Sequence, residues 1–302
     1  MKLTLERSRK QAWVLDMDIK GFFDNLDHDL MMRAINKHVE QDWARLYIQR
    51  WLTASVMHPD GCLETRDKGT PQGGVIGPLL ANLYLHYTFD YWMQRNYPRI
   101  TFERYADDIV CHCNHQLECE QLKAVLEQRF NACGLQLHPE KTKIVYCKSH
   151  RRRGGYPVNS FDYLGYRFKP KLVRNRHGKF EVYFMAEISP KAAARIREQI
   201  RQLPWRYWQW CDLAEIRQRC QARLIGWLNY FKLFGESEIR NVLFYFDKRL
   251  SRWAKMKYKT IHTVGQAAKF INSIRQTSQY LFAHWQSNTS SGANNDWLVR
   301  AV

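Results

Sequence analysis

Paired carboxylates mark a candidate site for chemistry in this 302-residue chain. Asp107 and Asp108 end the tetrapeptide Tyr-Ala-Asp-Asp, residues 105–108, which separates two short runs typical of β-strands. Adjacent carboxylates repel each other unless a cation binds them, and two Mg²⁺ ions holding a nucleoside triphosphate would supply that charge. A second acidic strand end lies upstream, where Asp18 closes an apolar run. Together these residues predict the divided metal site of a nucleotidyl transferase.

Two-metal phosphoryl transfer needs carboxylates that reach both ions. If the strands that carry Asp18 and Asp107 are neighbours in one antiparallel sheet, their carboxylates can share metal ions. Asp108 would then tune the site or bind the second ion less directly. Asp16 and Asp24 are weaker candidates, because Asp16 lies deeper on the strand and Asp24 falls in the following turn. An Asp-Asp pair alone would favour a solvated turn; the metal site is favoured by Asp18 and a glycine-rich loop in the same order.

Other positions are candidates for nucleotide contacts. Gln72 and Gly73 lie in the glycine-rich segment 69–77, where the backbone could approach a base pair closely. The same composition also suits an ordinary loop before a helix. Phe23 could lie beneath an incoming sugar and exclude a 2′-hydroxyl, or it could be a core residue. Lys141 could neutralise or protonate a leaving pyrophosphate, or it could be a solvated lysine.

The composition indicates a polyanionic partner. The formal net charge is +18, the isoelectric point is near 9.6, and 14% of the residues are aromatic. Nucleic acid is favoured over a membrane surface, because bases stack on aromatic rings while phosphates meet Lys and Arg; a generally solubilising basic surface is the alternative. The eight cysteines are scattered without a Cys-x-x-Cys motif, and no signal peptide or membrane span is recognisable. A cytoplasmic location is therefore expected.

The pattern of apolar residues predicts an α+β fold for the first part of the chain. The expected order is strand, helix, loop, helix, strand hairpin, helix, and two further strands, an order that suits a mainly antiparallel sheet with helices on one face. The expected strands and helices occupy residues 12–18, 28–39, 78–95, 100–113, 122–133, 143–148 and 161–168.

A basic helical part follows from Ser189. Ser189-Pro190 suits a helix start, Asp212-Leu-Ala-Glu215 has the spacing of a capping box, and Ser237 could cap a third helix. From Ser189 onward the chain has 19 Lys and Arg against seven Asp and Glu. We therefore predict domains over residues 1–188 and 189–286 and a flexible tail over 287–302. Candidate nucleic-acid contacts are Arg195, Arg201, Lys248, Arg249, Arg252 and Lys255.

Five segments, in this order, resemble the palm motifs of reverse transcriptases, most closely the bacterial group II intron-encoded type. They are residues 18–28, 69–82, 105–108, 137–143 and 161–166. Residues 226–231, Gly-Trp-Leu-Asn-Tyr-Phe, resemble the centre of that family's maturase domain, the helical thumb that grips intron RNA. The similarity extends from about Trp13 to about Trp253.

The resemblance implies a right-hand polymerase palm followed by a basic α-helical thumb/maturase domain. It implies RNA-directed DNA synthesis from dNTP on a DNA primer with Mg²⁺, and assistance to splicing and mobility of the parent intron RNA. It also implies site roles. These are metal binding by Asp18, Asp107 and Asp108, a sugar gate at Phe23, nucleotide contacts at Gln72, Gly73 and Tyr105, and a pyrophosphate-side lysine at Lys141.

The chain also departs from the family pattern. Only 17 residues precede Asp18, where the family carries a fingers region. We therefore expect a natural truncation or one piece of a split gene, with the fingers possible on another chain, and weak or no polymerase activity in isolation. Three alternatives stay open: an RNA-directed DNA polymerase, a non-catalytic RNA-binding maturase remnant, and an inactive truncated fragment of a mobile element.

Overall fold

The computed structural model describes residues 1–57, 59–70, 73–152 and 154–286. The chain divides into two units, one formed by residues 1–164 and 168–185, the other by residues 165–167 and those from Ala186 onward. The predicted tail at 287–302 lies outside the described residues.

The first unit is built from short helices and strands. A 3₁₀ turn covers Phe22–Asp24, and a π-helical turn covers His86–Asp90. The last two strands of this unit each extend into the second unit, at residues 166–167 and 186–188. In chain order its elements are α1 (Lys2–Lys10), β1 (Trp13–Met17), α2 (His28–His38), α3 (Asp42–Thr53), β2 (Val56–Met57), β3 (Leu63–Glu64), α4 (Gly77–Leu85), α5 (Tyr91–Asn96), β4 (Thr101–Tyr105), β5 (Asp108–Cys113), α6 (Gln116–Asn131), β6 (Lys143–Tyr146), β7 (Phe161–Tyr163), β8 (Tyr166–Arg174) and β9 (Phe180–Ile188).

The central sheet has four strands in the order β4-β5-β1-β6, and every neighbouring pair is antiparallel. β1 pairs with β5 from Trp13 opposite Cys113 to Met17 opposite Ile109. The prediction that the two acidic strands are neighbours in one antiparallel sheet is therefore confirmed.

One face of this sheet carries the core beneath α2, α4 and α6. Leu15 and Met17 of β1 point to this face and are buried in one cluster with Met31, Leu80 and Leu126 from the three helices. Alternation along a strand sends Asp16 and Asp18 to the opposite face. The α+β arrangement with these helices on one face agrees with the predicted fold class.

Helix α1 contacts the opposite face and was not predicted. Arg7 donates to the Glu103 carboxylate at 2.6 Å, and Glu103 also bonds the ring of His112, whose neighbours Cys111 and Cys113 point into the core. The helix is mostly charged and buries only Thr4, Leu5 and Ser8, so its sequence lacks an apolar stripe.

The single strand predicted over residues 161–168 is wrong. The segment turns sharply between β7 and β8, because Leu164 and Gly165 both have left-handed backbone, with φ of 50° and 77°. Two consecutive residues of positive φ are typical of a tight hairpin turn. β9, which was not predicted, completes a three-stranded sheet in the order β7-β8-β9.

The second unit is helical, with α7 (Pro190–Arg201), α8 (Leu213–Lys257) and α9 (Val264–Thr277). The predicted caps are confirmed: the Ser189 hydroxyl accepts from the Ala192 amide at 3.1 Å, and Asp212 and Glu215 form a reciprocal capping box. The predicted third helix is present as the second segment of α8, which joins two helices across a kink two residues before Ser237. The interruption lies at Gly235, whose backbone is extended rather than helical.

A buried polar cluster joins α8 to the last described residues. The Asp247 carboxylate accepts from the Trp285 indole at 2.8 Å and bonds the His284 ring at 2.8 Å.

Within the described ranges, no helix combines the length and apolarity that a bilayer span requires.

Candidate active site

Three aspartates approach one end of the central sheet. Asp18 directly follows β1, Asp108 is the first residue of β5, and the β1–β5 register continued by one residue brings them level. Asp107 lies between β4 and β5 in a two-residue turn, because Tyr105 pairs with Asp108. The sheet thus brings together positions that are about 90 residues apart along the chain.

The turn that presents Asp107 has unusual backbone geometry. Ala106 has a φ of 53°, in the left-handed region that residues with a Cβ seldom adopt. Such geometry persists when the surrounding pairing imposes it, and it is concentrated at functional sites.

The segment before β6 holds the backbone around Asp18. The Asp18 carbonyl accepts from the His138 amide at 2.7 Å, and the Lys20 amide donates to the Gln136 carbonyl at 2.8 Å. An isolated bridge between Ile19 and Leu137 joins the same two stretches. This pairing also sets the position of Lys141.

Lys141 forms an ion pair with Asp18. Its Nζ lies 3.3 Å from Asp18 Oδ2 and 3.4 Å from Oδ1, and its side chain is 59% exposed. The sequence offered a pyrophosphate contact or a solvated lysine; the structure instead places the ammonium on a predicted metal ligand. A cation that takes the Asp18 carboxylate would therefore release Lys141.

Asp16 interacts electrostatically with the carboxylates at the same end of the sheet. Burial, together with the nearby charges of Asp108, Asp162 and Asp18, raises the pKa of Asp16 to about 7, while Lys143 acts in the opposite direction. From the sequence, Asp16 is a weaker candidate for the metal site because it lies deeper on the strand. Its i, i+2 spacing from Asp18 nevertheless places both side chains on one face of the sheet.

The candidate nucleotide-contact residues differ in exposure. Tyr105 ends β4 and is 65% exposed, whereas Phe23 is partly buried and packs against the core. Gly73 has a φ of 87°, and a Cβ at this position would meet nothing within 4 Å. Gln72 lies outside the described residues.

The start of the glycine-rich loop is fixed to the turn that carries Phe23. The Gly69 amide donates to the Leu26 carbonyl at 2.7 Å, the Thr70 amide donates to the Phe23 carbonyl at 2.7 Å, and His28 Nε2 lies 2.7 Å from the Gly69 carbonyl. A Cβ at Gly69 would lie 2.8 Å from the Phe23 carbonyl oxygen. Sequence reasoning missed the part played by His28, because a lone histidine after a helix cap carries no spacing signal.

The donors at this end of the sheet suit a hard divalent cation. They are carboxylates, and the charges of Asp108, Asp162 and Asp18 add to burial, the larger cause, in raising the pKa of Asp16. Among residues 1–57, 59–70, 73–152 and 154–286, however, no three His, Cys, Asp or Glu side chains form a group that could hold a metal ion. Mg²⁺ commonly uses one or two carboxylates with waters and substrate phosphates, so the donor set fits without a closed cage.

The candidate nucleic-acid residues of the second unit separate into two groups. Arg201 pairs with Glu198, and Arg249 is partly buried with its guanidinium 5.7 Å from the Trp205 ring centre. The Nε of Arg249 has no hydrogen-bond partner among the described residues. The other group has exposed side chains and makes no ion pair with a carboxylate among the described residues; it comprises Arg195, Lys248, Arg252 and Lys255.

The sheet with acids at its strand ends and the basic helical unit agree with the palm and the helical thumb that the sequence resemblance implies. Residues 1–168 match the family model described as "Reverse transcriptase (RNA-dependent DNA polymerase)". Residues 193–287 match the model "Group II intron, maturase-specific domain". The chain belongs to the group II intron reverse transcriptase/maturase family.

Curated relatives share parts of this chain. "Protein YkfC" of Escherichia coli is 29% identical over 242 residues, which cover 68% of this chain and 58% of that protein. "Group II intron-encoded protein LtrA" of Lactococcus lactis subsp. cremoris is 40% identical over 74 residues, covering 24% of this chain and 12% of that protein. The chain thus spans less than two thirds of either relative.

A solved telomerase from Candida albicans, in complex with a fragment of telomeric RNA, is also similar. It has 11% sequence identity and a TM-score of 0.46 and covers 94% of this chain and 51% of that chain.

Proposed function

We propose that this chain is an RNA-directed DNA polymerase of the group II intron type, which adds dNTP to a DNA primer on an intron RNA template and binds that RNA to assist its splicing. The observation that supports this most strongly is the β1–β5 pairing, which brings Asp18 level with Asp108 beside the turn of Asp107. Family membership supplies the reaction type.

The residues of the site have distinct roles in this proposal. Asp18, Asp107 and Asp108 would hold Mg²⁺, which when bound neutralises the triphosphate and favours ionisation of the primer 3′-hydroxyl. Lys141, freed from Asp18, would move to the leaving pyrophosphate and donate a proton to its bridging oxygen. The long, flexible lysine stem permits such an exchange of partners.

The nucleotide would lie against the loop and the hairpin. In this proposal the Phe23 ring excludes a 2′-hydroxyl, and Tyr105 contacts the nucleotide. Gln72 and Gly73 face the paired base, where backbone without a side chain allows close approach.

A second candidate function is RNA binding without synthesis, as a maturase remnant or an inactive fragment. It is favoured by the Lys141–Asp18 ion pair, which satisfies the Asp18 charge without a metal. The two functions differ in whether the carboxylates are required for DNA synthesis as well as for folding.

Primer extension separates the candidates. The wild type, Asp107→Ala and the control Asp29→Ala, an exposed aspartate in the first turn of α2, would be assayed on poly(rA) primed with oligo(dT) in Mg²⁺. Weak extension by the wild type and the control, and its loss in Asp107→Ala, is the expected result.

RNA binding is measured in parallel on the same proteins. Absence of extension with salt-sensitive RNA binding that Asp107→Ala leaves unchanged would support the binding role and refute the polymerase. Absence of both extension and salt-sensitive RNA binding would refute both, because phosphate contacts made by basic helices must weaken as salt rises.

A further inference from the structure

A cavity of about 760 Å³ opens between α7 and α8 in the second unit. Its size falls within the range of roughly 300–1,000 Å³ typical of ligand sites. The wall residues that bear on its chemistry are Gln199 of α7, Gln202 directly after that helix, and Arg219, Arg223, Gly226 and Trp227 of α8.

The charge of this cavity suits an anion. Arg219 and Arg223 are exposed and one helical turn apart, so their guanidinium groups repel each other. Neither pairs with a carboxylate in the part of the chain that the structure describes, whereas Arg240 of the same helix is neutralised by Glu236 at 2.6 Å. Two adjacent guanidinium groups are a frequent binding site for phosphate oxygens.

The remaining wall suits a base. Trp227 lies one turn beyond Arg223 and is partly buried, so its ring is held in place with part of its surface accessible. Indole rings stack on bases of any sequence. Gln202 uses its amide nitrogen to donate to Glu198 at 2.9 Å, which leaves the amide oxygen for a base edge.

Gly226 provides an independent sign that this space is functional. A glycine inside a helix costs about 1 kcal/mol relative to alanine, and close packing is the usual reason for one. Here a Cβ would meet nothing within 4 Å. Packing therefore does not require this glycine, but its position leaves room beside Trp227 for something that enters the cavity.

We propose that this cavity binds a single unpaired nucleotide of a structured RNA. Its phosphate lies between Arg219 and Arg223, its base stacks on Trp227, and Gln199 and Gln202 contact the base edge. The proposal rests on the proposed RNA-binding function and locates one contact of it. A base that is splayed from a bulge or loop fits such a recess, whereas a fully paired base does not.

The test compares two labelled RNA hairpins of equal length in a fluorescence anisotropy titration, one with a single bulged uridine and one fully paired. The wild type should prefer the bulged hairpin. Trp227→Ala should weaken binding of the bulged hairpin about tenfold, within the range measured for loss of one base stack, and should leave the paired hairpin unaffected.

Gly226→Ala keeps the test independent of folding. It should raise the melting temperature, because alanine favours the helix, and yet abolish the preference for the bulge. Gly265→Ala, at an exposed glycine of α9, is the matched control and should retain the preference.

Each other outcome is informative. A wild type that binds both hairpins equally, with Gly226→Ala unchanged, would overturn the cavity site and leave the proposed function intact. A wild type that binds neither hairpin would overturn the proposed RNA binding itself. An equal preference for a bulge in the corresponding DNA hairpin would overturn the assignment to RNA.

Discussion

The Lys141 ammonium lies 3.3 Å from Asp18 Oδ2 and so neutralises the carboxylate that the proposed reaction needs for a metal. In the proposed reaction, a lysine in this position would couple two states of the site, one with this ion pair and one with a bound cation. The ion pair is exposed, so its own contribution to stability is small, below about 1 kcal/mol.

Replacing Lys141 tests this exchange. Lys141→Gln should increase the affinity for Mg²⁺ in the absence of dNTP, because Asp18 loses a competing cation, and should lower the primer-extension rate by about 10²-fold, a typical effect for a lost general acid. Calorimetric Mg²⁺ titration and single-turnover extension measure the two effects. Lys20→Gln, at an exposed lysine nearby in the chain, is the control; a similar effect there would indicate a general charge effect.

The raised pKa of Asp16 predicts a pH-dependent stability of the metal-free protein. Because the folded state holds this proton up to about pH 7 and the unfolded state releases it at an ordinary aspartate pKa, stability should fall as the pH rises between those two values. Asp16→Asn should remove at least about 1.4 kcal/mol of that decline, the equivalent of one pKa unit. Urea unfolding in chelator at several pH values checks this, and parallel curves for the two proteins would contradict it.

Two glycines of positive φ give a matched pair for stability. Gly69→Ala should cost more than Gly73→Ala, because its Cβ would lie 2.8 Å from backbone atoms of Phe23 and Asp24, whereas a Cβ at Gly73 meets nothing. The change at Gly73 retains only the intrinsic cost of the left-handed region, roughly 1–2 kcal/mol. Chemical unfolding of both variants measures the difference; equal losses would show that the 69–70 contacts do not fix the loop.

Arg249 and Arg252 should respond differently to alanine. Arg252 is exposed, and its loss should weaken binding of RNAs of any sequence. The slope of log affinity against log salt concentration should fall by about 1, the value for one lost phosphate contact. Arg249 packs over Trp205, so its loss should lower the melting temperature instead. Salt titrations and thermal melts of both variants distinguish these roles, and identical behaviour would refute the assignment.

The position of the acids at strand ends could be predicted because it depends on local patterns: an apolar strand before Asp18 and a hairpin around Asp107. The Lys141–Asp18 contact could not, since residues 123 positions apart meet through pairing that no local spacing reveals. Helix α1 was missed because it buries one large apolar side chain, and the turn between β7 and β8 was missed because Leu164 occupies a position that normally takes glycine or asparagine.

The antiparallel register of β1 makes the length of that strand as important as its composition. A deletion of one residue between Trp13 and Met17 would turn every later side chain of the strand to the opposite face of the sheet. The apolar and the acidic side chains would thereby exchange faces. The acids would then face the apolar core of the protein. A substitution in β1 alters one side chain, whereas a deletion alters the facing of every side chain that follows it.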